Sequence, residues 1–522
     1  MKIKFQNFIL VLKTLSYLNF TQIVFQVYYR LKIYLIGYRV SKKKSSTPLK
    51  TKWKDFLYNK KSYLGNNKFT FLNQRKFFKE INWNFSEFKD LWIYNLNYFD
   101  FLNQKEILKN DGIVLIKNFI RNYDNIRVGK EPYPTSLRII NWIKFISKYR
   151  IFDEKIHDII YTDTFRLNNN IEYHIQGNHL LENAFALFFS GIFFNNQYLI
   201  KKSSRLLRKE IKIQILKDGS HFELSPMYHN IILSKILDCI HFIKSNNLKL
   251  EIQPLLKNTA SKMLGFIKTL SYENGDFPMF NDSADSVAFK YKDLKNYATK
   301  IGVQEKDIFL SECGYRKWDF NNLEIRIDIG KIGPKFLTAH SHADTFNFEL
   351  IYKGNKIIVD PGISTYHNIE SRQIERSTKF HNTININSQN SSQVWSLFRT
   401  ADRANVKIIE DNEQKISVTH DGYKKCVTKR KFLNNGSEFM ISDEIISNRK
   451  NYIESNIHFY PGLKIILLNN KVLSKNFEIT LNGYKNPKLH TYNCPNGYNK
   501  FKDSFKLVSE VERNSNISFK FL

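Results

Sequence analysis

Between about residues 85 and 310, apolar positions recur at three- and four-residue steps. "LLENAFALFFSGIFF" (180–194) is apolar all round, the pattern of a helix buried on every side. In "YHNIILSKILDCIHFI" (228–243), Tyr228, Ile232, Ile236, Ile240 and Ile243 share one helical face. "LLKNTASKMLGFIKTL" (255–270) predicts a further helix. From about residue 320 the period drops to two. Strands are predicted at 322–330, 346–352, 355–360, 381–387, 405–410, 476–483 and 515–522. "KGN" (353–355) is a hairpin turn, with Gly354 free to take positive φ. Helices first and strands after predict an α+β multidomain chain with a boundary near 310–320. Successive helical hairpins fit a bundle, a solenoid or a toroid. Residues 1–80 form a third, loosely assigned piece.

"AHSHADTFNFEL" (339–350) alternates Phe346, Phe348 and Leu350 against Thr345, Asn347 and Glu349. If the extended backbone reaches back to His340 and His342, both imidazoles face one side of a sheet. His342, Asp360 in "IIVDPG" and His381 in "KFHNT" supply two imidazoles and a carboxylate. That is the ligand set of a three-residue zinc site with an open fourth position, although the spacing is no compact motif. His340 is then a neighbouring imidazole free to act as a base.

Two more stretches hold unusual polar groups. In "IQGNHLLEN" (175–183), Asn178 and His179 immediately precede the buried helix, where they can hydrogen-bond an anion or simply cap the helix. In "DGSHFELSPMYHN" (218–230), Ser225 is an N-cap and Pro226 the first helical residue. Tyr228 then sits in the first turn, where the helix dipole favours its phenolate and suits a proton shuttle. The alternative is a core aromatic, because Tyr228 continues the Ile232/Ile236 face.

A chain of 522 residues calls for two domains or more. Its formal charge of +31 points to an anionic partner: nucleic acid, a membrane surface or an acidic polysaccharide. Drift in an AT-rich genome would also enrich the chain in Lys, Asn, Ile and Phe. The basic residues are spread out and match no nucleic-acid motif, so nucleic acid is set aside. Cys239, Cys313, Cys426 and Cys494 lie far apart and predict neither a zinc ribbon nor a disulfide framework. "MKIKFQNFILVLKTL" begins like a signal peptide, but Lys13 interrupts the apolar run and no small-residue cleavage site follows. A cytoplasmic or membrane-peripheral location is therefore expected, with the periplasm as the alternative. No acidic residue precedes Asp55. This basic, aromatic segment reads either as a peripheral membrane arm or as a helix docked on the rest of the chain.

"GNHLLEN", "ELSPMYH", "HSHADTFNFEL", "VDPGISTY" and "RSTKFHNT" together resemble the successive signatures of the heparinase II/III-like polysaccharide lyases. "LWIYNLNYFDFL", "EPYPTSLRIINWI", "GDFPMFNDSAD" and the N-terminal "TLSYLNFTQIVFQVYYRLK" resemble members linked to bacterial surface polysaccharide. The resemblance implies a basic arm (1–80), an incomplete (α/α) toroid (81–315) and an antiparallel β-sandwich (316–522), with the active site between the last two. It implies β-elimination on an acidic, uronate-containing polysaccharide. Asn178 and His179 would bind the uronate carboxylate. Tyr228 would be the general acid, or both acid and base; His340 would be the base or its partner. His342, Asp360 and His381 would hold a structural Zn2+. One imidazole of the pair would thus face substrate and the other metal. A uronyl C5-epimerase shares the first proton abstraction, and a non-catalytic polysaccharide-binding or assembly protein is the third reading.

Overall fold

The structure is a computed structural model that describes residues 2–36, 42–436 and 438–522. Of the basic arm, Met1 and residues 37–41 lie outside the described residues. Two helices open the chain, α1 (Lys2–Leu15) and α2 (Phe20–Ile36), and a small hairpin of β1 (Lys68–Phe71) and β2 (Gln74–Phe77) follows. The helical domain continues with α3 (Lys89–Tyr98), α4 (Lys109–Asn122), α5 (Pro132–Tyr149), α6 (Glu154–Asn168), α7 (Gly177–Phe193), α8 (Gln197–Gln214), α9 (Pro226–Ser245), α10 (Gln253–Leu270) and α11 (Tyr291–Lys300).

α7 is buried along its length apart from His179, as its all-round apolar sequence requires. Phe189 of α7 stacks on Phe242 of α9 with ring centroids 4.5 Å apart. α9 starts where the sequence places it: Ser225 is the N-cap, its Oγ accepting from the Tyr228 amide at 3.2 Å, and Pro226 follows. The 1–80 segment is not one arm. Trp53, Tyr63, Phe69 and Phe71 join the helical core, to which no described residue before Trp53 contributes a buried side chain.

The second half is a sandwich of two antiparallel sheets. A four-stranded sheet runs β3 (Tyr315–Phe320), β4 (Leu323–Asp328), β5 (Phe348–Tyr352), β6 (Asn355–Ile358) in that order. A ten-stranded sheet faces it and is dominated by the long strands Phe477–Pro495 and Phe501–Phe521. Phe348 of the small sheet meets Phe432, Phe439 and Phe519 of the large one at 5.9–6.3 Å between ring centroids.

The strand predicted from Phe346 begins at Phe348. Phe346 has φ 68°, a left-handed conformation that breaks the extended run. His340 and His342 consequently lie in a loop before β5, not on one face of a sheet. The other predicted strands and helices are present, with ends shifted by a few residues or, at 476–483 and 515–522, lengthened.

Residues 270–283 seal the helical domain to the sandwich. Arg326 donates to the carbonyls of Leu270 and Ser271 at 2.7 Å. Glu349 accepts from the Tyr272 hydroxyl at 2.8 Å and the Met279 amide at 2.7 Å. This strap carries Asn281 and Asp282 to the junction.

Candidate active site

Asp282 is fully buried where the strap meets the sandwich. His340 Nδ1 donates to one of its oxygens at 2.8 Å and His342 Nε2 to the other at 2.8 Å. Arg372, carried by a short helix α12 (Ile369–Glu375), donates to the same carboxylate at 2.6 Å. Burial alone would raise the Asp282 pKa, but Arg372 and the two histidines hold it well below the usual carboxylate range. The backbone reinforces the arrangement: the Asp282 amide donates to the His340 carbonyl at 3.0 Å, and the His342 amide to Asn281 Oδ1 at 2.9 Å. The two histidines therefore share one carboxylate from either side.

With Nδ1 turned to Asp282, His340 Nε2 faces Asn178 Nδ2 at 3.3 Å and Glu223 Oε2 at 3.4 Å; in the neutral ring that donates from Nδ1, Nε2 is the acceptor of an oriented base. Its ring stacks on Tyr228 at 3.9 Å between centroids and 27° between planes. The Tyr228 hydroxyl lies 3.3 Å from that of Tyr366. Burial first, then Tyr498, pushes the Tyr228 phenol well above its ordinary pKa. The expected phenolate is thus not what the site favours: desolvation outweighs the helix dipole, and Tyr228 keeps its proton.

Asn178 lies on the other side of His340. Its Nδ2 is 3.3 Å from His340 Nε2 and 2.9 Å from Glu223 Oε2, and its backbone amide donates to Glu223 Oε1 at 2.7 Å. Gly177 makes that approach possible. It has φ +57°, and a Cβ there would stand 2.1 Å from Glu223 Oε1 and 2.4 Å from Leu337 Cδ2. Asn178 does not cap α7, whose N-cap is Gln176 without a side-chain cap bond. Asn178 is directed at Glu223 and His340, so the structure gives it an orienting position.

His179 faces outward, its side chain about a third exposed. Its Nδ1 meets Glu172 Oε1 at 3.1 Å, and its ring packs on Tyr133 at 4.4 Å. Burial opposes its protonation, yet Glu172, Glu223 and Glu182 outweigh it and raise the imidazole pKa. Nε2 is the ring nitrogen left for an anion.

The expected metal ligands are adjacent but are not the tightest set. His381 Nδ1 donates to Asp360 Oδ2 at 2.9 Å. The donor atoms of Asp344, Asp360 and His381 all lie within 4.8 Å of one another. His342 stands beside this set, its ring 5.2 Å from that of His381 and its Nε2 committed to Asp282. His342 Nδ1, His381 Nε2 and Asp344 Oδ2 are buried without a hydrogen-bond partner among the described residues. Burial holds the His342 pKa down, to about 3, so its ring is neutral. Burial opposes protonation of His381, but Asp360 and Asp344 outweigh it and raise its pKa, so a metal at its Nε2 would displace a proton there, whereas His342 Nδ1 offers a neutral lone pair; each ring is oriented by a carboxylate, as metal-binding imidazoles are.

The sequence reading missed Asp282, Glu223, Arg372 and Tyr366. Asp282 and Glu223 lie inside quoted motifs, but nothing in their spacing marks them as buried partners of His340 and Asn178. Arg372 had no signal beyond being one of 80 Lys and Arg.

Two family models match the chain: the heparinase II/III N-terminus over residues 136–307, and the heparinase II/III-like C-terminal model over 303–504. The chain is 26% identical over 320 residues to a heparin-sulfate lyase of Bacteroides stercoris, covering 55% of this chain and 46% of that protein. It is 28% identical over 251 residues to a heparin-sulfate lyase of Pedobacter heparinus, covering 42% of this chain and 37% of that one. The chain thus spans less than half the length of these curated relatives. Among solved structures, heparinase III aligns with TM-score 0.65 at 17% identity, over 85% of this chain and 79% of its own. A heparan sulfate lyase mutant from Pedobacter heparinus aligns with TM-score 0.60 at 20% identity, over 87% and 81%. The shared fold is a helical toroid followed by a β-sandwich.

Gly177→Ala tests the Glu223–Asn178–His340 contact. The new Cβ meets Glu223 on a left-handed backbone, so the variant should lose roughly 1–3 kcal/mol in urea denaturation. Its kcat should fall at least about tenfold as Glu223 and Asn178 shift. Unchanged stability and turnover would show that the close approach is dispensable.

Proposed function

The chain belongs to the heparinase II/III-like family, and on that premise we propose that it is a lyase cleaving an acidic polysaccharide by β-elimination at a uronate. The observation that carries the reading is Tyr228 stacked on a His340 ring fixed by Asp282. The relatives named as heparin-sulfate lyases support the substrate class, and a formal charge of +31 suits a polyanionic chain.

The chemistry assigns the parts. The C5 proton of a uronate is weakly acidic, and donors on the carboxylate stabilise the enolate that develops when it leaves. His179, with its raised pKa and its outward Nε2, is the carboxylate partner; Asn178 borders the same space and positions His340. His340 Nε2 takes the C5 proton. The C5–H electron pair becomes the C4=C5 double bond, the C4–O4 bond breaks, and Tyr228 delivers its phenolic proton to O4. The phenol's raised pKa suits this role, since the proton is held until an alkoxide develops. Base and acid stacked side by side favour elimination over epimerisation, which needs a proton donor on the opposite face of the sugar.

The buried set of His342, Asp360 and His381, joined by Asp344, would hold a zinc ion. Bound there, the ion would cross-link the loop before β5 to the segments after β6 and α12 and compensate buried acidic groups. His342 would reach it through Nδ1 and His381 through Nε2.

On a panel of uronate polysaccharides, wild type should generate the ultraviolet absorbance of a conjugated unsaturated uronate. Tyr228→Phe should lower that rate by about 10²–10⁴-fold with its thermal midpoint kept. Sugar inversion without absorbance, or equal rates for the two proteins, would contradict the reading. Elemental analysis should find about one zinc per chain in wild type and none in His381→Ala. Folded, metal-free wild type would remove the ion from the account.

A further inference from the structure

α2 is amphipathic in an inverted sense. The side that packs on the protein carries Gln22, which is buried, and Phe25 and Tyr29, whose rings meet Tyr173 and His174 at 4.7 and 4.9 Å. The Tyr29 hydroxyl donates to the Ile171 carbonyl at 2.5 Å. The outward side carries Phe20, Val24, Val27, Leu31, Tyr34 and Leu35 at helical spacing, with Phe20, Tyr34 and Leu35 exposed at 82%, 87% and 74%. Phe8, Leu12 and Leu15 of α1 are exposed as well. A contiguous apolar stripe of this kind marks an interaction surface.

We propose that the outer face of the α1–α2 hairpin is a docking surface for an anionic lipid bilayer. Charge complementarity selects this occupant. Arg30 and Lys32 lie on α2 and Lys43 and Lys44 follow, none of them in an ion pair among the described residues, while Lys13 and Lys42 pair with Asp402 and Asp124; no acidic residue precedes Asp55. No single described helix is long and apolar enough to cross a membrane; α1 and α2 reach that length and apolarity only together, across a 118° bend, and their inner side is held on the protein through Tyr29 and Asn19, which leaves the outer side to meet a bilayer surface. The hairpin is also built into the fold. Trp395 Nε1 donates to Thr14 Oγ1 at 3.0 Å, the Arg403 guanidinium sits 3.8 Å over the Tyr17 ring, and Asn19 Nδ2 donates to Gln176 Oε1 at 2.9 Å. It thereby touches both domains, and Gln176 lies two residues before Asn178. Docking through this face holds the catalytic junction beside the bilayer, where a surface-linked polysaccharide would be handled.

The test uses the full chain and vesicles of phosphatidylcholine mixed with phosphatidylglycerol at about 3:1, at low salt. Wild type should sediment with them, less with pure phosphatidylcholine, and less as salt rises. The Val27→Glu/Leu31→Glu double variant should bind about tenfold more weakly or worse, with unchanged circular dichroism. Arg30→Gln should weaken binding by up to about fivefold, and it keeps the test informative if the double variant fails to fold. No sedimentation of wild type, or a double variant that binds as wild type does, would overturn the proposal. Equal binding to neutral vesicles would overturn the anionic assignment. A wild-type dimer that the double variant splits, without vesicle binding, would give the face to a second copy. The readout needs no polysaccharide, so it stands or falls apart from the lyase reading.

Discussion

One buried carboxylate ties the molecule together. Asp282 belongs to the strap that closes the helical domain, whereas His340, His342 and Arg372 belong to the sandwich. An ionised carboxylate with no exposed surface is costly unless its oxygens are satisfied, and removing a partner from such a buried set typically costs about 3–5 kcal/mol. The two domains satisfy it jointly. The candidate site is therefore assembled by the docking of the two domains, and docking is itself favoured by the groups proposed to do the chemistry.

The paired histidines take their meaning from this carboxylate. One residue apart in a loop, they reach its two oxygens from different sides, and each is left with one oriented nitrogen. For His340 that nitrogen lies next to Asn178 and beside the Tyr228 ring. For His342 it lies buried near His381. A short motif thus supplies one imidazole to a candidate reaction centre and one to a candidate metal centre. The separation follows from tautomers fixed by a shared acceptor, not from strand geometry.

The helices were legible because their periods are strong and their ends are marked. α7 is apolar all round, and Ser225–Pro226 announces α9. The strands of the sandwich were legible by alternation. The break at Phe346 was not, because it is enforced at long range: Arg430, paired with Asp443, donates to the Phe346 carbonyl at 2.9 Å. Tyr228, His340 and Asn178, which the fold brings together, were singled out through ordered motifs, as was His179, which packs instead on Glu172 and Tyr133. Asp282, Glu223 and Arg372 were not, since a charged residue in sequence looks like solvated surface until its burial is seen. The phenolate expected at Tyr228 failed for a related reason: a helix dipole is visible in sequence, and desolvation is not.

The exposed stripe on α2 shows a division of labour at the periphery, where Gln22, Phe25 and Tyr29 pack inward and an apolar face of aliphatic and aromatic side chains is left outside. At the centre, the claim that Asp282 orients the catalytic base is tested most directly by the kcat of Asp282→Asn on a polysaccharide that wild type cleaves, alongside its denaturation midpoint. The account predicts a folded variant with KM near wild type and kcat reduced by about 10²-fold or more, because His340 loses its charged partner and fixed tautomer. A folded variant that turns over at the wild-type rate would contradict it.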